Sequence, residues 1–472
     1  TLKSEAYTLE VPPKEIIIEA SDAKGFFYAL QTIRQLLPAA IEKEEVADKK
    51  VKWSIPAVSI QDEPRFGYRA LLLDAARYFI PKENVLRIID CMAMLKINKL
   101  HFHLTDDNGW RIEIKKYPLL TEKGAWRKFN SHDRECIRQS KTNNNPDMAI
   151  PEDKIRIVEG DTLYGGYYTQ EDIKDVIAYA KIRGIDIIPE IDMPGHMQAA
   201  LTAYPELGCT GGPYEVWKIW GISDDVLCAG NDETLKFIDD VLGEIIEIFP
   251  SEYIHVGGDE CPKVRWKTCP KCQKRMQDEH LSNVDELQSY LIHRVELFLN
   301  AHGRKLLGWD EILQGGLAPN ATVMSWRGEE GGIAAVRSGH QAIMTPGKYC
   351  YLDSYQDAPY SQPEAIGGYL PLEKVYSYNP VSDSLTVEQA ELVYGAQGNL
   401  WAEYIPTPEH MEYMIYPRIL ALAEVAWSAP ERKSWPDFHN RALKAVDDLQ
   451  AKGYHTFDLK NEIGSRPESL KP

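Results

Sequence analysis

The chain has 472 residues, of which 44% are hydrophobic and 26% charged, a composition typical of a globular protein with a large core. Its 53 basic and 71 acidic side chains give a formal net charge of −18, which disfavours nucleic acid and anionic membranes as partners. No apolar run approaches the roughly 18 to 20 residues that a membrane-spanning helix needs.

The chain begins with Thr1 rather than Met, and no charged segment followed by an apolar run opens it. We therefore expect that a leader or an upstream portion has been removed. The expected protein is extracytoplasmic, either periplasmic or secreted, and is a monomer or a homodimer.

Residues 1–62 are predicted to form a small separate α/β unit. Residues 15–20, EIIIEA, have the composition of a strand, and residues 25–38 carry apolar residues at helical spacing up to a proline. A charged loop at 41–50 leads to a second strand-like stretch, VSIQDEP. Because one helix and two or three strands are fewer than an independent domain usually needs, we interpret this unit as the remainder of a domain whose first half is missing.

Short apolar strands that end in polar residues alternate with helical segments from residue 69 onward. This alternation predicts a parallel sheet, and eight repeats over about 360 residues predict an α/β fold, a (β/α)8 barrel over residues 63–430. Residues 431–472 are expected to form a helical tail packed on the barrel. The predicted strands are 69–75, 99–107, 185–192, 253–260, 305–311, 322–328, 341–347 and 394–403.

The segments between the strands carry helix start and stop signals. The first follows Pro81, and the third opens on a capping box from Thr169 to Asp172 and ends at Gly184. Two long polar stretches, 127–168 and 351–392, follow the second and seventh strands. On a barrel these stretches would lie on the face that carries the active site.

The carboxyl ends of the predicted strands are rich in acids and tryptophans. Carboxylates accept hydrogen bonds from sugar hydroxyls and indole rings stack on the C–H faces of pyranoses, so the pattern indicates a carbohydrate site. Arg69 lies at the start of the first barrel strand. The strand-end residues are His103, Asp106, Asp107, Glu190, Asp192, His196, Asp259, Glu260, Trp309, Trp326, Tyr351, Asp353, Trp401 and Glu403.

Asp259 and Glu260 are the most informative pair. They follow Gly257 and Gly258 at the end of the buried strand in YIHVGGDEC. Two acids at such a position indicate proton chemistry, although a random Asp-Glu pair is more often a solvated loop.

Other members of the set have simpler interpretations. Arg69 could pair only with a buried barrel acid, and His196 could be a loop histidine satisfied by local hydrogen bonds. Asp310 and Glu311 are interpreted as helix N-caps and are left out of the predicted site.

Eight cysteines in a chain of this length do not make a disulfide framework. Cys269 and Cys272 form a single CPKC without a second CxxC or paired histidines nearby, which favours a local disulfide over a structural zinc. Cys209 and Cys228 flank a loop rich in glycine and tryptophan, which a disulfide would restrain in an exported protein. No cofactor and no metal ligand set is predicted.

Several strings resemble those of the family-20 glycoside hydrolases, the β-N-acetylhexosaminidases. Over about residues 64–430 they are RALLLDAARYF, KLHFHLTDDNGWRIEIKKYP, PEIDMPGH, HVGGDE, MSWRG and GNLWAEY, in the order in which that family has them. Residues 1–62 resemble the second half of the small α/β domain that precedes the barrel in that family. One departure is Phe102, where the family often has tryptophan, and its side chain is expected to point away from the chemistry.

The resemblance implies an exo-acting, retaining hydrolase that releases terminal β-linked GlcNAc or GalNAc. In that family the 2-acetamido oxygen of the substrate attacks C1 and forms an oxazolinium ion, a substrate-assisted exception to the two-carboxylate mechanism. By motif match, Glu260 is the general acid and base, and Asp259 orients and polarises the acetamido group.

The resemblance also implies which residues form the pocket wall. Trp309, Trp326 and Trp401 would enclose the acetamido group and the sugar ring, and would exclude water. Tyr351, helped by Asp353, would donate a hydrogen bond to the acetamide oxygen.

Recognition of the sugar end and support of the acid complete the implied site. Arg69 and Glu403 would bind the ring hydroxyls, as an exo-acting enzyme requires. Asp106 and His196 would form a relay behind Glu260.

Two other functions are kept as alternatives. His101 and His103 lie on one strand face, which also suits a metal-dependent hydrolase, and activity lost with EDTA and restored by zinc would favour it. A catalytically silent sugar-binding module would bind its ligand without hydrolysing any aryl β-N-acetylhexosaminide. The presence of both Asp259 and Glu260 disfavours that module.

Overall fold

The computed structural model describes residues 2–43 and 49–464. Parts of the predicted charged loop at 41–50 and of the predicted tail at 431–472 therefore lie outside the described residues. Across the two described ranges, helices long enough to cross a bilayer are too polar to do so.

The strands are short and are spread along the whole chain. In chain order they are β1 (Tyr7–Glu10), β2 (Ile17–Ala20), β3 (Ser59–Asp62), β4 (Tyr68–Asp74), β5 (Lys99–His103), β6 (Thr105–Asp106), β7 (Gly109–Trp110), β8 (Trp126–Lys128), β9 (Ile155–Val158), β10 (Asp161–Gly165), β11 (Asp186–Met193), β12 (Tyr253–Gly257), β13 (Lys305–Trp309), β14 (Thr322–Ser325), β15 (Ala342–Met344) and β16 (Val393–Leu400).

The α-helices range from single turns to five turns. In chain order they are α1 (Ala23–Leu36), α2 (Lys82–Met94), α3 (Leu119–Glu122), α4 (Ser131–Asn143), α5 (Gln170–Lys181), α6 (Gln198–Ala203), α7 (Asp232–Ile248), α8 (Val264–Thr268), α9 (Pro270–Asp278), α10 (Val284–Ala301), α11 (Glu330–Arg337), α12 (Gly347–Cys350), α13 (Leu372–Tyr376), α14 (Val387–Ala390), α15 (Pro408–Ile415), α16 (Arg418–Trp427) and α17 (Trp435–Ala451).

A closed parallel barrel forms the centre of the molecule. Its strand order is β11-β12-β13-β14-β15-β16-β4-β5, and these are the eight predicted strands, so the predicted fold class is confirmed. Helices cover the outside of the barrel and side chains fill its inside, so each strand is buried on both faces. Strand β4, YRALLLD, is accordingly buried at every position.

The helix signals read from the sequence are present in the structure. The Thr169 hydroxyl accepts from the Asp172 backbone N–H, and the Asp172 carboxylate accepts from the Thr169 backbone N–H, at the start of α5. Helices α7 and α10 are capped by the preceding Asn231 and Asn283, whose side chains accept hydrogen bonds from backbone N–H groups of the first turn.

The amino-terminal unit is a three-stranded antiparallel sheet with one helix. Its strand order is β2-β1-β3, and α1 packs on the sheet. The sequence analysis identified β2, α1 and β3 but did not identify β1, the central strand. Trp427 at the end of α16 packs into the core of this unit and donates a hydrogen bond to Asp62 at 2.9 Å, which attaches the unit to the barrel.

The first long stretch after β5 is more ordered than its composition suggested. Residues 127–168 were predicted to be a polar loop, but they contain α4 and most of a three-stranded sheet of order β8-β10-β9. Helix α4 starts at a capping box between Asn130 and Asp133, and few of its residues are buried. A polar helix of this kind has no apolar stripe from which it could be predicted.

Candidate active site

The carboxyl ends of the barrel strands enclose a pocket of about 330 Å³. This volume is near the lower end of the range for small-molecule sites, which suits one sugar residue better than an extended chain. Ten of the eleven predicted site residues lie around the pocket, and their catalytic roles stay predictions. The lining residues are Arg77, Asp106, His196, Asp259, Glu260, Trp309, Trp326, Tyr351, Asp353, Ser354, Ile366, Gly367, Gly368, Trp401 and Glu403.

The turn after β12 has an unusual backbone conformation. Gly257, Gly258 and Glu260 have φ values of 69°, 91° and 44°, and for a glutamate the left-handed region is unfavourable by about 1 to 3 kcal/mol. A Cβ atom on Gly257 would lie 1.8 Å from the Asp192 Oδ1 atom, so only glycine fits there. The glycine pair therefore brings Asp259 and Glu260 into the pocket at a backbone angle that other residues would resist.

Glu260 is held by a histidine that lies between several acids. The His196 Nε2 atom is 3.1 Å from the Glu260 Oε2 atom, and its Nδ1 atom is 2.9 Å from Asp107 and 3.1 Å from Asp106. Burial alone would lower the pKa of His196, but the charge of Asp106 and hydrogen bonds to Asp106, Asp107 and Glu260 raise it well above its usual value. His196 is therefore an imidazolium that donates one hydrogen bond to Glu260 and leaves the Oε1 atom of Glu260 facing the pocket.

Asp259 lies deeper than Glu260, beside a second buried acid. Burial raises the pKa of Asp259 to about 6, while the charge of His196 and a hydrogen bond from Asp192 act in the opposite direction. Burial and the charge of Asp259 raise the pKa of Asp192 well above its usual range. Both pKa values are raised, that of Asp192 further, so a proton shared between the two carboxyl groups is favoured on Asp192.

Aromatic rings form the walls of the pocket. Trp326 and Tyr351 lie nearly parallel, with an interplanar angle of 9° and ring centroids 6.3 Å apart. Trp309 and Trp401 lie against each other with centroids 5.7 Å apart, and the edge of Tyr351 faces Trp401 at 6.5 Å. Burial raises the pKa of Tyr351 well above its usual value, so its hydroxyl keeps its proton and can act as a donor.

The indole rings are fixed by hydrogen bonds to buried acids. Trp309 donates to Glu190 at 2.8 Å and Trp326 donates to Glu311 at 2.9 Å. Asp310 accepts from the Trp326 backbone N–H at 2.9 Å. The interpretation of Asp310 and Glu311 as helix N-caps is therefore wrong, because neither side chain caps the short 3-10 turn that begins with them.

An arginine and two further acids, Arg77, Asp353 and Glu403, also line the pocket. The Arg77 guanidinium lies 3.1 Å from Asp74, 3.3 Å from Asp106 and 3.8 Å from Glu403. In the described part of the chain, one buried oxygen each of Glu403 and Asp353 has no hydrogen-bond partner. Unpaired buried acceptors are costly, and hydroxyl groups of a bound sugar would satisfy them.

The prediction that Arg69 binds ring hydroxyls is wrong. Arg69 is in β4 near its amino end, so its side chain lies at the face of the barrel away from the pocket. Its guanidinium binds Glu5 through two atoms at 3.0 and 3.3 Å and also donates to Tyr28 at 3.0 Å. The alternative, pairing with a buried barrel acid, is correct in that the partner is a buried acid, but that acid, Glu5, belongs to the amino-terminal unit and not to the barrel.

Arg77 is the arginine that sequence reasoning missed. It occurs in the same string, RALLLDAARYF, three residues after the carboxyl end of β4. Since barrel sites are built from carboxyl strand ends, its position was the signal that should have selected it over Arg69.

The two histidines of β5 are committed to protein partners. His101 contacts Glu190 at 2.7 Å and Gln397 at 3.0 Å through its two ring nitrogens, and His103 contacts Glu190 at 2.6 Å and Asp106 at 2.7 Å. Burial acts to lower the pKa of His103, but the charge of Glu190 and hydrogen bonds raise it to about 10. A protonated histidine with both nitrogens engaged is a poor metal ligand, which disfavours the metal-dependent hydrolase.

All eight cysteines are unbridged in the structure. The disulfide expected between Cys209 and Cys228 is therefore not formed, and neither is a local one between Cys269 and Cys272. Instead, these four side chains lie together in one cluster.

Two family models match the chain. "Glycosyl hydrolase family 20, catalytic domain" matches residues 66–430, and "Glycosyl hydrolase family 20, domain 2" matches residues 1–63.

Similar proteins carry hexosaminidase names. A "Beta-hexosaminidase" of Porphyromonas gingivalis is 48% identical over 96% of this chain and 55% of its own length, and one of Vibrio furnissii is 39% identical over 90% and 65%. The chain thus spans less than two thirds of these two relatives. A "Beta-hexosaminidase" of Akkermansia muciniphila is 32% identical over 99% of this chain and 88% of its own length.

Solved structures of similar proteins share the fold. A family-20 exo-β-N-acetylglucosaminidase of Vibrio harveyi, in complex with N-acetylglucosamine, superposes with a TM-score of 0.82 at 35% identity, covering 97% of this chain and 68% of the other. A β-N-acetylhexosaminidase of Bacteroides fragilis superposes with a TM-score of 0.78 at 33% identity, covering 97% and 84%.

Proposed function

Since the chain belongs to glycosyl hydrolase family 20, we propose that it is an exo-acting, retaining β-N-acetylhexosaminidase that removes terminal β-linked GlcNAc or GalNAc from glycans. One observation carries this proposal. A single pocket sized for one sugar holds a half-buried Glu260, a buried Asp259 and four aromatic walls. The hexosaminidase names of the relatives, and the N-acetylglucosamine bound by the Vibrio harveyi enzyme, support the same substrate class.

Glu260 acts as the general acid and then as the general base. Its side chain is 33% exposed, so it reaches the mouth of the pocket, where the departing sugar or aglycone must leave. Since His196 fixes the Oε2 atom, the Oε1 atom can give its proton to the glycosidic oxygen. The resulting carboxylate accepts a hydrogen bond from the imidazolium and then takes a proton from the attacking water.

Asp259 serves the substrate's own acetamido group. The ionised carboxylate accepts a hydrogen bond from the acetamide N–H, which aims the acetamide oxygen at C1 and stabilises the positive charge of the oxazolinium ion. Asp259 lines the pocket, so its carboxylate can meet that N–H. The indole of Trp326 and the hydroxyl of Tyr351 close the other side and exclude water.

The far side of the pocket recognises the end of the sugar chain. Glu403 and Asp353 offer unpaired buried oxygens to ring hydroxyls, and Arg77 offers guanidinium N–H groups. Because these groups close the pocket beyond the ring hydroxyls, a further sugar on that side would not fit. The pocket therefore favours cleavage from the non-reducing end.

A substrate panel with an inhibitor tests this function. We expect hydrolysis of aryl β-GlcNAc or aryl β-GalNAc, and no hydrolysis of the matching aryl β-glucoside, which lacks the attacking amide. A thiazoline that mimics the oxazolinium ion should bind at least about 10²-fold more tightly than the substrate. Cleavage of the glucoside at the same rate, or a glycosyl ester trapped on one of the enzyme's carboxylates, would refute the proposal.

The acid side of the pH profile depends on the pair Asp192 and Asp259. Because Asp259 must be ionised to accept the acetamide N–H, kcat/KM should fall as the pH drops through about 6. Asp192→Asn keeps a neutral donor, so the acid limb of the kcat/KM profile should stay at the same pH. Asp192→Ala removes the donor that lowers the pKa of Asp259, so the limb should move to higher pH. Measured profiles of kcat/KM for the three proteins decide the point, and a limb that does not move in Asp192→Ala would contradict the shared proton.

A further inference from the structure

Four cysteines from two neighbouring loops converge beside the candidate active site. Cys209 and Cys228 lie in the segment between α6 and α7, which follows β11. Cys269 lies between α8 and α9, and Cys272 lies in the first turn of α9, after β12. His196 lies at the start of the same β11–α7 connection, before α6, and the second loop follows Glu260 directly. The cluster therefore joins the two connections that present the predicted acid and its histidine.

The distances between the sulfur atoms are those of a tetrahedral thiolate site. Cys228 Sγ is 3.7 Å from the Sγ atoms of both Cys269 and Cys272, and Cys209 Sγ is 3.8 Å from Cys272 Sγ. All four atoms lie within 4.8 Å of one another. Four sulfurs at about 2.3 Å from one zinc ion, in a regular tetrahedron, are about 3.8 Å apart.

The surroundings of the cluster also suit a bound cation. Cys228, Cys269 and Cys272 are buried and Cys209 is half-buried, in a shell that includes Trp266. Thiolates in such a shell are costly unless a metal compensates their charge. Cys228 also accepts a hydrogen bond from the Gly230 backbone N–H, an interaction that supports a ligating thiolate.

The charge of the second loop points in the same direction. A zinc ion with four thiolates carries a net charge of −2, and the segment 263–275 has no acidic residue in a chain whose net charge is −18. Its basic residues are Lys263, Arg265, Lys267, Lys271, Lys274 and Arg275. Four of these, Lys263, Arg265, Lys274 and Arg275, pair with acids outside the segment, so only part of this positive charge can offset the metal centre.

We propose that Cys209, Cys228, Cys269 and Cys272 bind one structural zinc ion. Four thiolates fill its coordination sphere, so the ion has no open position for water or substrate. Its effect is to hold the loop of His196 against the loop of Glu260. Cys261, which follows Glu260 directly, packs into the same cluster of buried residues and links the metal site to the acid.

Sequence reasoning disfavoured zinc because CPKC had no partner nearby. The partners are distant along the chain, since Cys228 precedes Cys269 by 41 residues and Cys209 precedes Cys272 by 63. Only the neighbouring positions of β11 and β12 in the barrel bring them together. The alternative for an extracytoplasmic protein is a pair of disulfides, which requires sulfur atoms about 2.05 Å apart in two separate pairs.

Metal analysis of the purified full chain tests the proposal. Elemental analysis and native mass spectrometry should find one zinc per chain in protein prepared without metal-affinity resin. Replacement of the ion by Co²⁺ should give the intense visible bands of tetrahedral cobalt thiolate. Cys272→Ser should lose most of the zinc, whereas Cys261→Ser, a buried neighbour outside the ligand set, should retain it.

The wild-type measurements keep the test decisive even if Cys272→Ser does not fold. Alkylation without reductant distinguishes the alternative, because a zinc-bound chain denatured with a chelator has eight reactive thiols, whereas two disulfides would leave four. Two disulfides and no metal in the wild-type chain would overturn the proposal, and so would equal zinc loss in Cys261→Ser and Cys272→Ser. None of these readouts depends on glycosidase activity.

Discussion

Glu260→Gln should lower kcat by about 10² to 10⁴ on a substrate with a poor leaving group. Gln has the shape of Glu and tolerates the left-handed backbone at this position equally well, but it has no proton to give. Aryl leaving groups of low pKa need little protonation, so the decrease in kcat on substrates that carry them should be much smaller. Rates for a series of aryl β-GlcNAc substrates of graded leaving-group pKa measure the effect.

The slope of that series is the informative quantity. In Glu260→Gln the rate should depend far more steeply on leaving-group pKa than in the wild type. The exposed Glu206→Gln, changed in the same way, should match the wild type. An equal loss with every leaving group would show that Glu260 is not the acid.

Asp259→Asn should lower kcat/KM by about 10² to 10³ with all leaving groups, including the most activated. Asn can still accept a hydrogen bond from the acetamide N–H, but it has no charge to stabilise the oxazolinium ion. The change therefore affects the attack of the amide rather than the departure of the aglycone. The same aryl series measures the effect on departure of the aglycone, and inhibition by the thiazoline measures the effect on stabilisation of the oxazolinium ion.

The two variants should differ in pattern as well as in size. Asp259→Asn should weaken the thiazoline far more than it weakens the product GlcNAc, since only the thiazoline resembles the charged intermediate. The exposed Asp224→Asn serves as the matched control. A loss in Asp259→Asn that vanished with activated substrates would assign Asp259 to leaving-group chemistry and contradict its proposed role.

The barrel was predictable because its signal is local and repeated. Each strand is an apolar run with a polar end. A strand of a parallel barrel is buried on both faces, as β4 is, and therefore needs apolar residues at successive positions. The family predicted from the motifs is confirmed by the models that match the chain. Strand β1 is as long as β2 and β3, which were identified, and it was missed because its place at the centre of the sheet is decided by pairing with both of them.

Site residues were predictable where they follow the carboxyl end of a strand. Interactions between residues that are distant along the chain were not predictable. Arg77 could have been found from its position, whereas the shared proton of Asp192 and Asp259 depends on burial that no spacing reveals. The convergence of Cys209 with Cys272 likewise depends on two loops meeting in space. Local pattern therefore identified most of the lining, and the electrostatics required the fold.

Arg69 and Lys96 limit how the catalytic barrel can be engineered. Arg69 is buried and Lys96 is half-buried, and their counter-charges, Glu5 and Asp62, belong to the amino-terminal unit. A trimmed protein that started at β4 would keep the two cations and lose both anions, and a buried arginine that loses its acid costs about 3 to 5 kcal/mol. Any minimal version of this chain must therefore retain the amino-terminal unit or replace Arg69 with an apolar residue.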